Sequence, residues 1–156
     1  MHKLNRISYG GTAAIVTSMA LIMGLDAVHA TEKTIVSALL IAALADNITD
    51  SLSVHIYQES EHLSQREAFI GTLSNFATRF ALCLSFVALV VLLPAAPALG
   101  AALGWGALLL SALSWALARE RRANALSEVA KHLVVAAVVI FVSRLIGGWI
   151  NTQIGG

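Results

Sequence analysis

Charge is scarce in this chain: only 12% of its 156 residues are Asp, Glu, Lys or Arg, against 58% hydrophobic. With a mean hydropathy of +0.79, it is too apolar for a soluble domain of ordinary composition. What remains is a polytopic membrane protein. Basic charge is neither abundant nor gathered on one face. The net charge is +1, and the two denser basic groups, at the N-terminal end and at Arg119–Arg122, are far apart in sequence. Nucleic-acid binding therefore has no electrostatic footprint. Cysteine occurs once, as Cys83 in an apolar run, which excludes a disulfide framework and a thiol metal site within one chain. No solenoid period or low-complexity tract is present. The stretches between apolar runs are too short to hold a soluble domain.

Five apolar runs are countable, Ile7–Val28, Thr34–Tyr57, Phe69–Leu93, Leu99–Ala118 and Ser127–Ile150, each near the roughly 20 residues that a helical crossing needs. The expected fold is thus all-α, a single transmembrane domain of five helices in a lipid bilayer. The polar QESEHLSQRE, the tight PAAPA with Pro94 and Pro97, and the charged RERRAN read as loops. Lys3 and Arg6 precede the first span and Arg119, Arg121 and Arg122 follow the fourth, so the positive-inside rule puts the N-terminus in the cytoplasm and the C-terminus outside. If the organism is bacterial, the membrane is the inner one. Lys3, Arg6, an apolar run and AVHA before Thr31 are also what a secretory signal peptide looks like. The length of the run, and Thr12, Thr17, Ser18 and Asp26 within it, favour a span.

The second run turns polar before it has crossed. After TIVSALLIAAL comes ADNITDSLSVHIYQESE, and at about 1.5 Å per residue Asp46 falls roughly 18 Å from Thr34, past the middle of a core about 30 Å thick. On a helical wheel Asp46, Asp50, Ser53, Tyr57 and Glu61 make one stripe, flanked by Asn47, Ser51, His55, Gln58 and His62. Ile41, Ala45, Ile48, Leu52 and Ile56 hold the opposite face. Carboxylates at that depth must face protein or water, because an unpaired charge there costs several kcal/mol or more.

Asp46 and Asp50, one turn apart, offer two oxygen ligands on one face, as a hard or borderline divalent cation requires. His55 and His62 lie on the flank of the same helix, and Glu59, Glu61, His62 and Glu67 form an acidic vestibule that would concentrate a cation before entry. The candidate metal residues are therefore Asp46, Asp50, His55, Glu59, Glu61 and His62. The plain alternative is that these groups bond to one another and to neighbouring helices, fixing the bundle. Met19 and Met23 offer thioethers one turn apart, although Met in an apolar helix usually packs. Arg79, roughly 15 Å past Phe69, is too deep to snorkel easily and calls for a carboxylate, Asp46 or Asp50. Gly100 and Gly104 form a GxxxG, and Gly147 and Gly148 lie near the end of the fifth run.

Three stretches resemble the vacuolar iron transporter family, in particular members without its large cytosolic domain. They are MGLDAVHATEKTIVSALLIAALADNITDSLSVHIYQESE from Met23 to Glu61, SFVALVVLLP from Ser85 to Pro94, and EVAKHLVVAAVVIFVSRLIGG from Glu128 to Gly148. The resemblance implies a homodimer that moves ferrous or manganous ions out of the cytoplasm in exchange for protons, along a path lined by the first two helices. Two departures stand out. The family's first-helix Asp, in a Ser-Asp-Gly context, is matched here by Thr12, Ala13 and Ala14, and its pore-facing Met falls at Asp50.

The leading expectation is a secondary transporter for a divalent transition metal, Fe2+ or Mn2+, with no resident cofactor. Asp46 and Asp50 are its central ligands and the groups that exchange protons. The competing expectation is a membrane scaffold or assembly subunit whose polar second helix binds a partner. An intramembrane enzyme holding magnesium pyrophosphate on DxxxD would need a second acidic motif and more helices, so an enzyme is not expected.

Overall fold

A computed structural model describes residues 3–60 and 64–154, with side chains from residue 10 onward except at 58 and 59. Among these residues the chain is all-helical: α1 (Lys3–Ala27), α2 (Glu32–Ser60), α3 (Gln65–Leu92), α4 (Ala95–Glu120) and α5 (Ala125–Gln153). All five are long and apolar enough to cross a membrane, as expected for an integral, multi-pass protein.

The helices run past the apolar runs because their ends are capped. Ser64 starts α3 with a capping box: its hydroxyl accepts from the Glu67 amide and its own amide donates to the Glu67 carboxylate at 3.3 Å. Asn124 caps α5 by accepting from the Leu126 and Ser127 amides. The PAAPA stretch is not a loop. Pro94 is the N-cap of α4 and Pro97 lies in its first turn, where a missing amide hydrogen leaves no intrahelical bond unmade. At the far ends of α1 and α4 the chain reverses through paired bonds, Ala30 to Leu25 with His29 to Asp26, and Ala123 to Ala118 with Arg122 to Arg119. Each is a Schellman turn. His29 and Arg122, both at φ 54°, occupy the left-handed position that glycine usually fills.

Helix α1 is the centre of the bundle. It packs against all four other helices, while α2, α3, α4 and α5 follow one another around it and leave the arc open between α5 and α2. Ile15, Met19 and Ile22 of α1 meet Leu39, Phe86, Val90, Ala102, Leu110 and Ala136 from the surrounding helices. Close approach depends on small residues. A Cβ on Gly147 would collide with the Gly24 carbonyl and lie 2.9 Å from Ala27 Cβ, so α1 and α5 touch backbone to backbone there. Gly100 and Gly104, by contrast, have nothing within 4 Å. Outward, Ile41, Ile48, Leu52 and Ile56 of α2 and Val134, Val138, Phe141 and Leu145 of α5 are exposed, an apolar surface of the kind a bilayer accepts.

Candidate functional site

The polar groups of the second helix meet the bundle by their flank rather than by the aspartate stripe. Leu39, Ala43, Asn47 and Ser51, spaced by four, are the buried line of α2, and Asp46, Thr49 and Ser53 are exposed. Thr49 and Ser53 return their hydroxyls to the carbonyls of Ala45 and Thr49, at 2.9 and 3.0 Å, and so need no partner from another helix. Asp50 stands at the edge between the two faces, its side chain 49% exposed.

Helix α3 answers this line with Ala68, Gly71, Asn75, Arg79 and Cys83. Arg79 lies about 21 Å along α3 from Gln65, close to the helix midpoint, and is deeper than a count from Phe69 implies. It is only 3% exposed. Its Nε donates to Asn47 Oδ1 at 2.7 Å and its Nη1 to Asp50 Oδ2. Of the two carboxylates open to it in sequence, Asp50 is thus the partner. A guanidinium suits this role because its planar fork carries five donors and stays charged, so it can bridge an amide and a carboxylate together.

Around Arg79 bonding capacity is left unused. Asn47 Nδ2, Ser51 Oγ and both polar atoms of Asn75 are buried without a hydrogen-bond partner among the described residues, and each such atom costs about 1–3 kcal/mol. Helix α1 closes the cluster at Gly10, where a Cβ would strike Asn75 Oδ1 and come within 2.7 Å of Arg79 Cδ. Ala14, one turn on, packs with Ala43 and Cys83. Ser18 bonds the Ala14 carbonyl at 2.8 Å and lies 3.7 Å from Cys83 Sγ. Ala13, next to Ala14 in sequence, is exposed and lines a different cleft. An acid there would point away from Arg79 and Asp50.

The remaining candidates divide. His55 Nδ1 meets Thr72 Oγ1 at 3.3 Å, and because that hydroxyl already donates to Ala68 O, the ring is the donor. His55 is thereby tied to α3. Glu67 serves the capping box through Oε2, which accepts from Ser64 Oγ at 2.8 Å. Glu61 and His62 lie outside the described residues, as does the side chain of Glu59. Met19 and Met23 are buried, and Met19 packs onto Gly106. Among the described residues no three His, Cys, Asp or Glu side chains come together to hold a metal ion.

A second polar cluster, between α1, α4 and α5, escaped the sequence reading. Thr12, Ser114, Arg121, Glu128 and His132 line a cleft of about 600 Å³. Ser114 donates to Leu110 O and lies 2.9 Å from His132 Nδ1, so that ring nitrogen carries the proton. Asn75 escaped too. The only signal either residue gives is a polar side chain one turn from another in an apolar helix, Asn75 before Arg79 and His132 after Glu128. Comparison with known protein families, with characterised proteins and with solved structures finds no match to this chain.

Proposed function

We propose that this chain is a membrane carrier for a small divalent cation, with Asp50 as the receiving carboxylate and a second copy completing its surroundings. One observation supports the reading most: at mid-helix, Arg79 bridges α3 to Asp50 and Asn47 amid four buried polar atoms without partners among the described residues. Carboxylate and amide oxygens suit hard to borderline ions such as ferrous or manganous ions, the cargo of the family that the sequence resembles. Export from the cytoplasm against protons, with the N-terminus cytoplasmic, belongs to the same proposal. Asp46 is exposed on the outer face of α2, where an anion against lipid costs several kcal/mol. A second copy packed over α2 removes that cost and brings a second pair of aspartates to a site that one chain leaves short of ligands.

The scaffold reading has its own support, since Asp50 is already compensated by Arg79 and such a pair also locks two helices together. Flux into liposomes separates the two. The purified protein is expected to carry Mn2+ or Fe2+ in preference to Mg2+, with a response to an imposed proton gradient. Asp50→Asn is expected to abolish flux with its elution as a dimer unchanged. Normal flux in Asp50→Asn, or none in the native protein, makes the scaffold reading the better one.

A further inference from the structure

Resting on the carrier reading above, we propose that Arg79 is a tethered competitor for the cargo: its guanidinium occupies Asp50 while the carrier is empty and withdraws to Asn75 when a divalent cation arrives. The first berth is the one in place, with Nε on Asn47 Oδ1 and Nη1 on Asp50 Oδ2. The second berth lies one turn back on the same helix. Asn75 is 1% exposed, and its Oδ1 has no donor among the described residues. Residues four apart lie on one face of a helix. The two side chains are neighbours, since a single Cβ built on Gly10 would touch both Asn75 Oδ1 and the Arg79 stem.

A swing of the guanidinium from α2 to Asn75 satisfies that orphaned acceptor and releases two oxygens, Asn47 Oδ1 and Asp50 Oδ2, on one side of α2. Both are ligands of the kind that hard cations take. The exchange also selects for charge. A monovalent ion gains no more from the carboxylate than the guanidinium it must displace, whereas a divalent ion gains about twice as much at equal distance. The pocket therefore never holds an uncompensated carboxylate at depth, whichever cation is present. Gly10 keeps the route open, because a side chain there would press on Asn75 and on the arginine stem.

Mn2+ binding to the purified full-length protein in detergent, followed by the loss of the free-ion paramagnetic resonance signal, tests this. Arg79→Gln removes the competitor and is expected to tighten Mn2+ binding about tenfold or more, the equivalent of one charged hydrogen bond. Asn75→Ala removes the second berth and is expected to weaken it. In the double variant Arg79→Gln/Asn75→Ala the second change is expected to have no effect. Arg79→Lys, which keeps a charge but cannot bridge Asn47 and Asp50 together, is expected to bind more tightly by a smaller factor, and it serves if the glutamine variant does not fold. Unchanged or weaker binding in both folded Arg79 variants overturns the competitor role alone. Absence of Mn2+ binding in the native protein and every variant overturns the carrier reading, and this inference with it.

Discussion

Removing either member of the Arg79–Asp50 pair is expected to destabilise the bundle by unequal amounts, and removing both by less than their sum. Asp50→Ala leaves a guanidinium that is 3% exposed with the amides of Asn47 and Asn75 in reach but no counter-charge. Breaking a buried pair from that side costs about 3–5 kcal/mol. Arg79→Met leaves instead a carboxylate whose side chain is 49% exposed and can turn towards water or a neighbouring chain. Its cost is expected to be smaller, about 1–2 kcal/mol, most of it the lost bond to Asn47. The double variant strands neither charge and loses only packing and one amide contact. The coupling between the two sites is then about 2–3 kcal/mol, readable from a cycle of unfolding midpoints in a detergent titration. Additivity within about 0.5 kcal/mol, or a larger loss from Arg79→Met than from Asp50→Ala, would refute the placement of Arg79 between the helices.

Glycine positions give a second test. Gly147→Val drives a side chain into the Gly24 carbonyl and Ala27 and is expected to cost about 2–3 kcal/mol by overpacking. Gly100→Ala and Gly104→Ala, which meet open space, are expected to stabilise by up to about 1 kcal/mol each through helix propensity, as read by thermal unfolding. His29→Gly and Arg122→Gly relieve the left-handed backbone at two Schellman turns and are expected to raise stability by about 0.5–1 kcal/mol; a fall in melting temperature would count against those turns. A reporter fused after Gly156 is expected to read as extracytoplasmic, from the basic residues at Lys3–Arg6 and Arg119–Arg122. A cytoplasmic signal would invert the bundle.

Apolar run length made the five helices and their order legible, because a lipid core tolerates little else across its thickness. Their ends were less so. Caps such as Ser64 and Asn124 extend α3 and α5 beyond the apolar residues, and Pro94 and Pro97 open a helix instead of breaking one. The pairing of Arg79 with a carboxylate followed from depth alone, since a charge at that level has few ways to exist. Which carboxylate, and what else gathers there, depended on the rotation of α2. A wheel centred on the aspartates takes the most polar direction to be inward. Packing instead turns the line of Leu39, Ala43, Asn47 and Ser51 inward, with Ala43 against Ala14 and Cys83 and Asn47 against Arg79. Asn75 carries no charge, and its place one turn before Arg79 in an apolar helix is all that marked it in sequence.

That rotation of α2 also separates the roles of the two aspartates, which sequence spacing alone treats as equivalent. Asp50 faces the seam with α3 and has a cation in reach, so its charge is compensated inside one chain. Asp46, one turn earlier, is exposed on the outer side of α2, at a depth where lipid offers nothing to a carboxylate. The small residues of α1 do not supply its cover: Gly11 meets Leu82 and Leu113, Ser18 meets Cys83, and Gly24 meets Ser143, all within the chain. A dimer that covers Asp46 must therefore be built on α2, with α1 contributing only what the open arc between α5 and α2 leaves accessible. Cysteines placed at Ala45 and Thr49 are expected to cross-link between copies, while cysteines at Ala14 and Ser18, buried against α2 and α3, are not. Cross-linking confined to the α4 glycines would move the interface to the opposite side of the bundle and leave Asp46 in need of another partner.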